Sequence, residues 1–313
     1  MDEPMLVVEG LVKSFGARRA VDGLSFAVAP KEIFGLLGPN GAGKSTTIGM
    51  LSTLTRADGG RIALDGIDVT REPQRVRPLI GYVPQDLALY PALSARDNLA
   101  FFGRIYGLGG RRLAERVDAV LDVVGLRDRA GELVRTFSGG MMRRLNLAAG
   151  LVHAPRLLFL DEPTVGVDPQ SRNSILEHVL RRRDEGLTIL YTSHYMEEVQ
   201  RLCDRVAIVD EGRLLALDSP QALTRELGEG LLVVGLPEGG VEALAACATT
   251  LDALGKVTVR DRLLYVEARN VNQALLQLLD LCSVRDLGLS SLQVLEPSLE
   301  SVFLRLTGKR LRD

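Results

Sequence analysis

Residues 38–45 read Gly38-Pro39-Asn40-Gly41-Ala42-Gly43-Lys44-Ser45, and no other stretch constrains the fold as tightly. The run fits G-x-x-x-x-G-K-[ST], a phosphate-cradling loop that needs a strand before it and a helix after it. Both neighbours are readable. Glu32-Ile33-Phe34-Gly35-Leu36-Leu37 is a short apolar strand, and Thr46-Thr47-Ile48-Gly49-Met50-Leu51 can run on as a helix. Glycines let the backbone curl so that successive N–H groups point inward at a phosphate. The helix N-terminus adds a partial positive charge there. Lys44 can reach the β- and γ-phosphates of a nucleotide, and the Ser45 hydroxyl can hold Mg²⁺. The class implied is α/β, with the loop at a strand's carboxyl end.

At 313 residues the chain has room for about two domains. No apolar run approaches the roughly 18 residues that span a bilayer, and Met1-Asp2-Glu3-Pro4 carries no signal-peptide pattern. A cytosolic chain is therefore expected, with any membrane role exercised through a partner. Cys203, Cys247 and Cys282 stand far apart without C-x-x-C spacing and read as buried thiols. With 38 basic against 40 acidic side chains, there is no basic footprint for a nucleic-acid partner.

Met5–Gly10 and Leu24–Val28 read as strands of an antiparallel sheet, joined through a loop that contains Phe15. Taken alone, Phe15 is a core or edge-strand residue; an aromatic here can also stack on a purine. Gly59–Gly66 is a turn and strand, and Ile80–Asp86 a short strand ending in a polar loop at Gln85. From Leu87 to about Pro155 the apolar spacing is helical. Ser94-Ala95-Arg96-Asp97 resembles a capping box, and Leu113–Val124 forms a helix that Gly125 stops. Ser138 can cap a helix over Met142–Leu151, which explains it structurally; Ser138, Gly139 and Gly140 can also form a second phosphate contact.

Arg156–Pro163 is an apolar strand ending in Asp161 and Glu162. Adjacent acids at a buried strand end are costly unless used: Asp161 suits Mg²⁺ and Glu162 suits a general base for water. Val165–Pro169 is a tight turn, and Ser171–Asp184 a helix. Leu187–Ser193 is a strand that delivers His194 to its carboxyl end, where open α/β sheets bind ligands. His153 and His178 fall on helices and read as structural or exposed.

Aromatic loop, phosphate loop, glutamine loop, Ser-Gly-Gly, Asp-Glu, Gly-x-Asp turn and histidine follow one another over about residues 5–225. That order resembles the ATP-binding subunit of ATP-binding-cassette (ABC) transporters. The resemblance implies a P-loop NTPase cassette with a RecA-like core, an antiparallel β subdomain and a helical subdomain at about 87–155. It implies adenine stacking by Phe15 and nucleotide contacts from Gly38 through Thr46. Mg²⁺ would be held through Ser45, Gln85 and Asp161. Glu162, His194, Gln85 and Lys44 would be catalytic. Ser138, Gly139, Gly140 and Asp168 would act on the nucleotide of a second copy, since cassettes of this family pair head to tail. Phe137 and Met141 depart from the usual signature residues and put the fine affinity in doubt.

Residues 228–313 change rhythm. Leu231–Leu236, Val241–Leu254, Lys256–Arg260, Leu263–Glu267, Val271–Leu281 and Gln293–Leu295 spell β-α-β-β-α-β, a ferredoxin-like α+β domain. A last amphipathic helix, Ser298–Thr307, carries Leu299, Val302, Phe303 and Leu306 on one face. The Glu296–Gly308 stretch resembles the tail of cassettes serving ABC-2-type exporters, the daunorubicin-resistance kind among them. It can stabilise a dimer or a permease contact, or simply close the small domain. The implied partners are a second copy and a separately encoded integral-membrane permease, on the cytoplasmic face of the membrane. The rivals are a permease-free ABC protein working on nucleic acid or ribosomes, and a nucleotide sensor without turnover. A single phosphate loop without heptads weighs against the first, and Glu162 against the second.

Overall fold

The computed structural model describes residues 3–237, 241, 244–245, 254–260, 262–285 and 287–308. The chain divides into two compact units, Met1–Leu215 and Ala216–Asp313.

In the first unit β1 (Leu6–Phe15) and β2 (Arg18–Val28) form a long hairpin. With β4 (Gly59–Leu64) and β5 (Ile67–Asp68) they make an antiparallel sheet of order β2-β1-β4-β5. Phe15 is thus the last residue of β1, not a loop residue. Pairing with Arg18 carries the strand past the expected boundary, because Gly16 takes a left-handed φ of 59° and closes the hairpin tightly.

The second sheet contains β3 (Ile33–Leu37), β6 (Ile80–Val83), β7 (Leu157–Asp161), β8 (Thr188–Ser193), β9 (Arg205–Asp210) and β10 (Arg213–Asp218). Its order is β10-β9-β3-β8-β7-β6, with β9, β3, β8, β7 and β6 parallel. Every residue of β3, β7 and β8 is buried. That is why their sequences read as unbroken apolar runs, as strands covered on both faces do. Each fully buried Leu, Ile or Phe there contributes about 1.5–3 kcal/mol. Because the strands run the same way, the ends of β3, β7 and β8 gather at one edge, and the loops leaving them build the site.

Helices Ala95–Ile105, Gly110–Val123 and Gly139–Leu151 fill the region between β6 and β7. The Ser94 hydroxyl accepts from the Asp97 N–H, and Gly125 ends the second helix region at φ 62°. The third helix starts at Gly139, earlier than Met142, because the Ser138 hydroxyl caps it by accepting from the Met141 N–H. Helix Pro169–Asp184 likewise starts before Ser171, since Asp168 is its N-cap and Pro169 suits the first turn. His178 lies on that helix, but His153 sits in the turn after Leu151, stacked on Tyr106.

The second unit has β11 (Gly230–Gly235), β12 (Leu254–Arg260), β13 (Leu263–Ala268) and β14 (Ser291–Leu295) in the antiparallel order β12-β13-β11-β14. Counted within the unit this is 2-3-1-4, the ferredoxin-like order. Helix Val271–Val284 packs Ala274, Leu278 and Cys282 against Leu232, Val234, Leu264 and Val266. Most of the expected helix Val241–Leu254, with Cys247, lies outside the described residues. Helix Leu299–Thr307 buries Leu299, Val302, Phe303 and Leu304, with Leu306 only half-buried. A Ser298–Ser301 capping box opens this helix, and Arg305 bridges Glu226 and Glu267 at 2.9 and 2.8 Å.

Candidate active site

The loop leaving β3 leaves no room for side chains at two of its glycines. A Cβ on Gly38 would lie 2.3 Å from the Val209 carbonyl oxygen, and one on Gly43 2.4 Å from that of Ala20. Gly43 also has φ 100° as it enters helix Lys44–Leu51. Backbone approach this close is available only to glycine.

Lys44 is 4% exposed. Its ammonium donates to the carbonyls of Gly38 at 2.8 Å and Pro39 at 3.1 Å, and lies 3.1 Å from Glu162 Oε1. The Ser45 hydroxyl donates to Asp161 Oδ1 at 3.2 Å. Thr192, at the end of β8, donates to the same Oδ1 at 2.7 Å, and its hydroxyl accepts from the Glu162 N–H at 3.0 Å. Burial pushes the Asp161 carboxyl above its usual range, against the two hydroxyl donors and with help from the Glu162 charge. A carboxyl raised in this way favours the neutral form. Its contribution to the stability of the nucleotide-free fold therefore falls as pH rises through that raised value.

Glu162 has a left-handed φ of 47°, a conformation that costs a non-glycine residue about 1–3 kcal/mol. It aims the carboxylate back over the phosphate loop. Oε2 lies 3.1 Å from His194 Nδ1 and accepts from Gln85 Nε2 at 3.5 Å. Lys44, Gln85 and His194, far apart in the chain, thus converge on one carboxylate.

In front of this group is a cleft of about 400 Å³ lined by Phe15, Arg18, Asn40, Gly41, Gly43, Lys44, Ser45, Thr46, Gln85 and Glu162. Phe15 is 55% exposed at its rim, a platform with one face open. Pro39 and Ala42 shape the loop from behind, where the Ala42 N–H donates to the Pro39 carbonyl at 3.2 Å. Ser138, Gly139, Gly140 and Asp168 do not line this cleft; they form a separate cluster. A Cβ on Gly140 would meet Ser171 Oγ at 2.2 Å, and Asp168 Oδ1 accepts from the Ser171 N–H at 2.9 Å. Gly139 has open space around it.

Four neighbours of the site gave little signal in the sequence. Arg18 belongs to none of the motifs, yet its guanidinium donates to the Gly41 carbonyl at 3.3 Å. Thr192 was hidden in an apolar strand; its place two residues before His194 was the available clue. Arg143, in the Arg143-Arg144 pair, donates to the carbonyls of Gln85 and Val165. Glu198, next to the exposed Glu197, is only 3% exposed. It accepts from Thr164 at 2.7 Å, Tyr191 at 2.7 Å and Ser193 at 3.0 Å, and lies 3.4 Å from Arg172 Nε. Burial, then the Glu198 charge, drives the Tyr191 phenol far above its usual value. Ser193 Oγ accepts in turn from the Tyr195 N–H, and the Tyr195 ring lies 4.1 Å from that of His194.

A glycine loop at the end of a central parallel strand, with its lysine facing an acid pair at the end of β7, defines a P-loop nucleoside triphosphatase. Comparison with known proteins narrows the class. A family model described as "ABC transporter" matches residues 21–165. The linearmycin resistance ATP-binding protein LnrL of Bacillus subtilis (strain 168) is 46% identical over 99% of this chain and 100% of its own length. The daunorubicin/doxorubicin resistance ATP-binding protein DrrA of Streptomyces peucetius is 40% identical, covering 98% and 94%. The Nod factor export ATP-binding protein I of Rhizobium sp. (strain N33) is 40% identical, covering 99% of each. Among solved structures, cbiO1 from Clostridium perfringens, part of the ABC transporter complex cbiONQ, superposes with a TM-score of 0.66 at 29% identity, over 72% of this chain and 92% of that one. The chain belongs to the ATP-binding subunits of ABC transporters: it binds ATP and is an ATPase.

Proposed function

We propose that this chain powers export of a substrate through a separately encoded ABC-2-type permease, on the cytoplasmic face of the membrane. In that reading two copies close around two ATP–Mg²⁺. The observation that carries the hydrolytic part is the convergence of Lys44, Gln85 and His194 on Glu162 at the mouth of the phosphate loop.

The Gly41–Ser45 amides and the Lys44 ammonium bind the β- and γ-phosphates. Glu162 takes the proton of the attacking water, and His194 and Gln85 orient that water and the γ-phosphate. Ser45, Asp161 and Gln85 offer an all-oxygen donor set of the kind Mg²⁺ takes, through one carboxylate and with phosphates completing the shell. An ion held by these residues would supply positive charge against that developing on the phosphates. Among the described residues no three His, Cys, Asp or Glu gather at another metal position. Ser138, Gly139, Gly140 and Asp168, grouped away from their own chain's cleft, are the half-site offered to the second copy. Phe15 stacks on the adenine. Phe15→Ala should weaken ATP binding about tenfold, the loss of one base–aromatic stack. Titration with a fluorescent ATP analogue checks this, and unchanged affinity removes the role.

Among the described residues no helix is long and apolar enough to cross a membrane, and in this reading the cargo crosses through another chain. The named relatives serve drug resistance and Nod factor export, which supports the export direction. A second cleft, of about 700 Å³, lies beside the Gln85 loop and is lined by Leu54, Tyr82, Pro84, Phe102, Ile105 and Tyr106. Leu54 and Ile105 are 67% and 62% exposed. A permease helix seated here would feel movement of Gln85. The test is co-purification in detergent with a multi-span membrane protein. Wild type should carry it along, and Leu54→Arg with Ile105→Arg should lose it while still binding ATP. Failure of wild type to retain any such protein sinks the proposal.

A further inference from the structure

Arg143 stands one turn into the helix capped by Ser138 and is half-buried. One arm of its guanidinium donates to the carbonyl of Gln85, and the other to that of Val165 at 3.1 Å. Both segments flank Glu162. The Gln85 side chain reaches Glu162 Oε2, and the Val165 N–H donates to the Glu162 carbonyl at 3.3 Å. A single cation therefore spans the loop on one side of the carboxylate and the turn on the other. A planar guanidinium fixes two acceptors at a set separation and angle, which a lysine ammonium does not reproduce. Without this donor the carbonyls of exposed Gln85 and half-buried Val165 would turn to water, and the two segments would lose their common tie.

We propose that Arg143 is a positioning residue for hydrolysis: by clamping Gln85 and Val165 it sets where the Gln85 side chain meets Glu162. The clamp is mounted on the helix that opens at Ser138. It thereby ties the half-site offered to the second copy to the hydrolytic group of this chain's own cleft. The inference rests on the reading of Glu162 and Gln85 given above.

A double-mutant cycle tests it by steady-state ATPase kinetics on the full chain, with Arg143→Ala, Gln85→Ala and the pair. Arg143→Ala should lower kcat about tenfold, since small displacements of reacting groups cost at least that much. KM for ATP should stay within about two-fold. In the Gln85→Ala background the same substitution should change kcat less than about two-fold, because the group it positions is gone. Should Arg143→Ala fail to fold, Arg143→Lys, which keeps the charge but not the fork, takes its place in the cycle. An undiminished loss in the Gln85→Ala background, a loss confined to KM, or wild-type turnover overturns the proposal. Failure of the underlying reading looks different. Full activity in Gln85→Ala or Glu162→Gln would remove both, whereas additive losses remove the clamp alone.

Discussion

Glu162→Gln should lower the ATPase rate by about 10²–10⁴-fold, the range that a positioned general base contributes. ATP affinity should remain close to wild type. The substitution keeps shape and an oxygen acceptor but removes the group that takes a proton. Its consequences are confined by geometry: the carboxylate is 5% exposed and touches Lys44, His194 and Gln85. An amide can still accept from Gln85, so the cleft should keep its form. Lys44 loses a charged neighbour but retains the Gly38 and Pro39 carbonyls, which hold its ammonium at the phosphate loop. Bound ATP should therefore persist, and on the proposed pairing two copies should stay closed around it. Phosphate release measured beside nucleotide binding decides it. Equal rates in the two proteins would move the base elsewhere.

Glu198→Leu should lower the stability of the larger unit by about 3 kcal/mol, in the range for breaking a buried charged network from one side. Thr164, Tyr191 and Ser193 all donate to this one carboxylate, and Arg172 stands beside it. Leucine fills similar volume and offers none of them an acceptor. Tyr191 is fully buried and has no route to water. At about 2–4 °C per kcal/mol for a unit of this size, the midpoint should fall by about 6–12 °C. Scanning calorimetry reads this directly. Because Ser193 and Tyr195 connect the network to His194, turnover should fall with it. An unchanged midpoint would show that the hydroxyls find other partners.

The site was legible where the chemistry is contiguous. Gly38–Ser45 declares itself because one turn of backbone does the work, and Asp161-Glu162 because an apolar strand ending in two acids is costly. The strands β3, β7 and β8 were readable from unbroken apolar runs, and the small domain from its alternation of elements. What escaped was what depends on distant segments meeting. Arg143 and Arg144 look alike in sequence; only the fold sends one guanidinium to Gln85 and Val165 and the other to the Val124 carbonyl. Glu197 and Glu198 are neighbours, yet helix phase buries the second alone. The strained backbone of Glu162 left no mark in the sequence, since left-handed turns are announced by glycine.

The fit of Gly38 against Val209 and of Gly43 against Ala20 bears on how this engine moves. A loop wedged at both ends against backbone behaves as an anvil and yields little when nucleotide arrives. Gln85, by contrast, sits exposed on a polar loop held by side chains alone, Arg143 at its own carbonyl and Asn146 at Pro84 and Ala88. The stroke that ATP drives should therefore be lopsided, with travel concentrated on the glutamine side while the phosphate seat stays put.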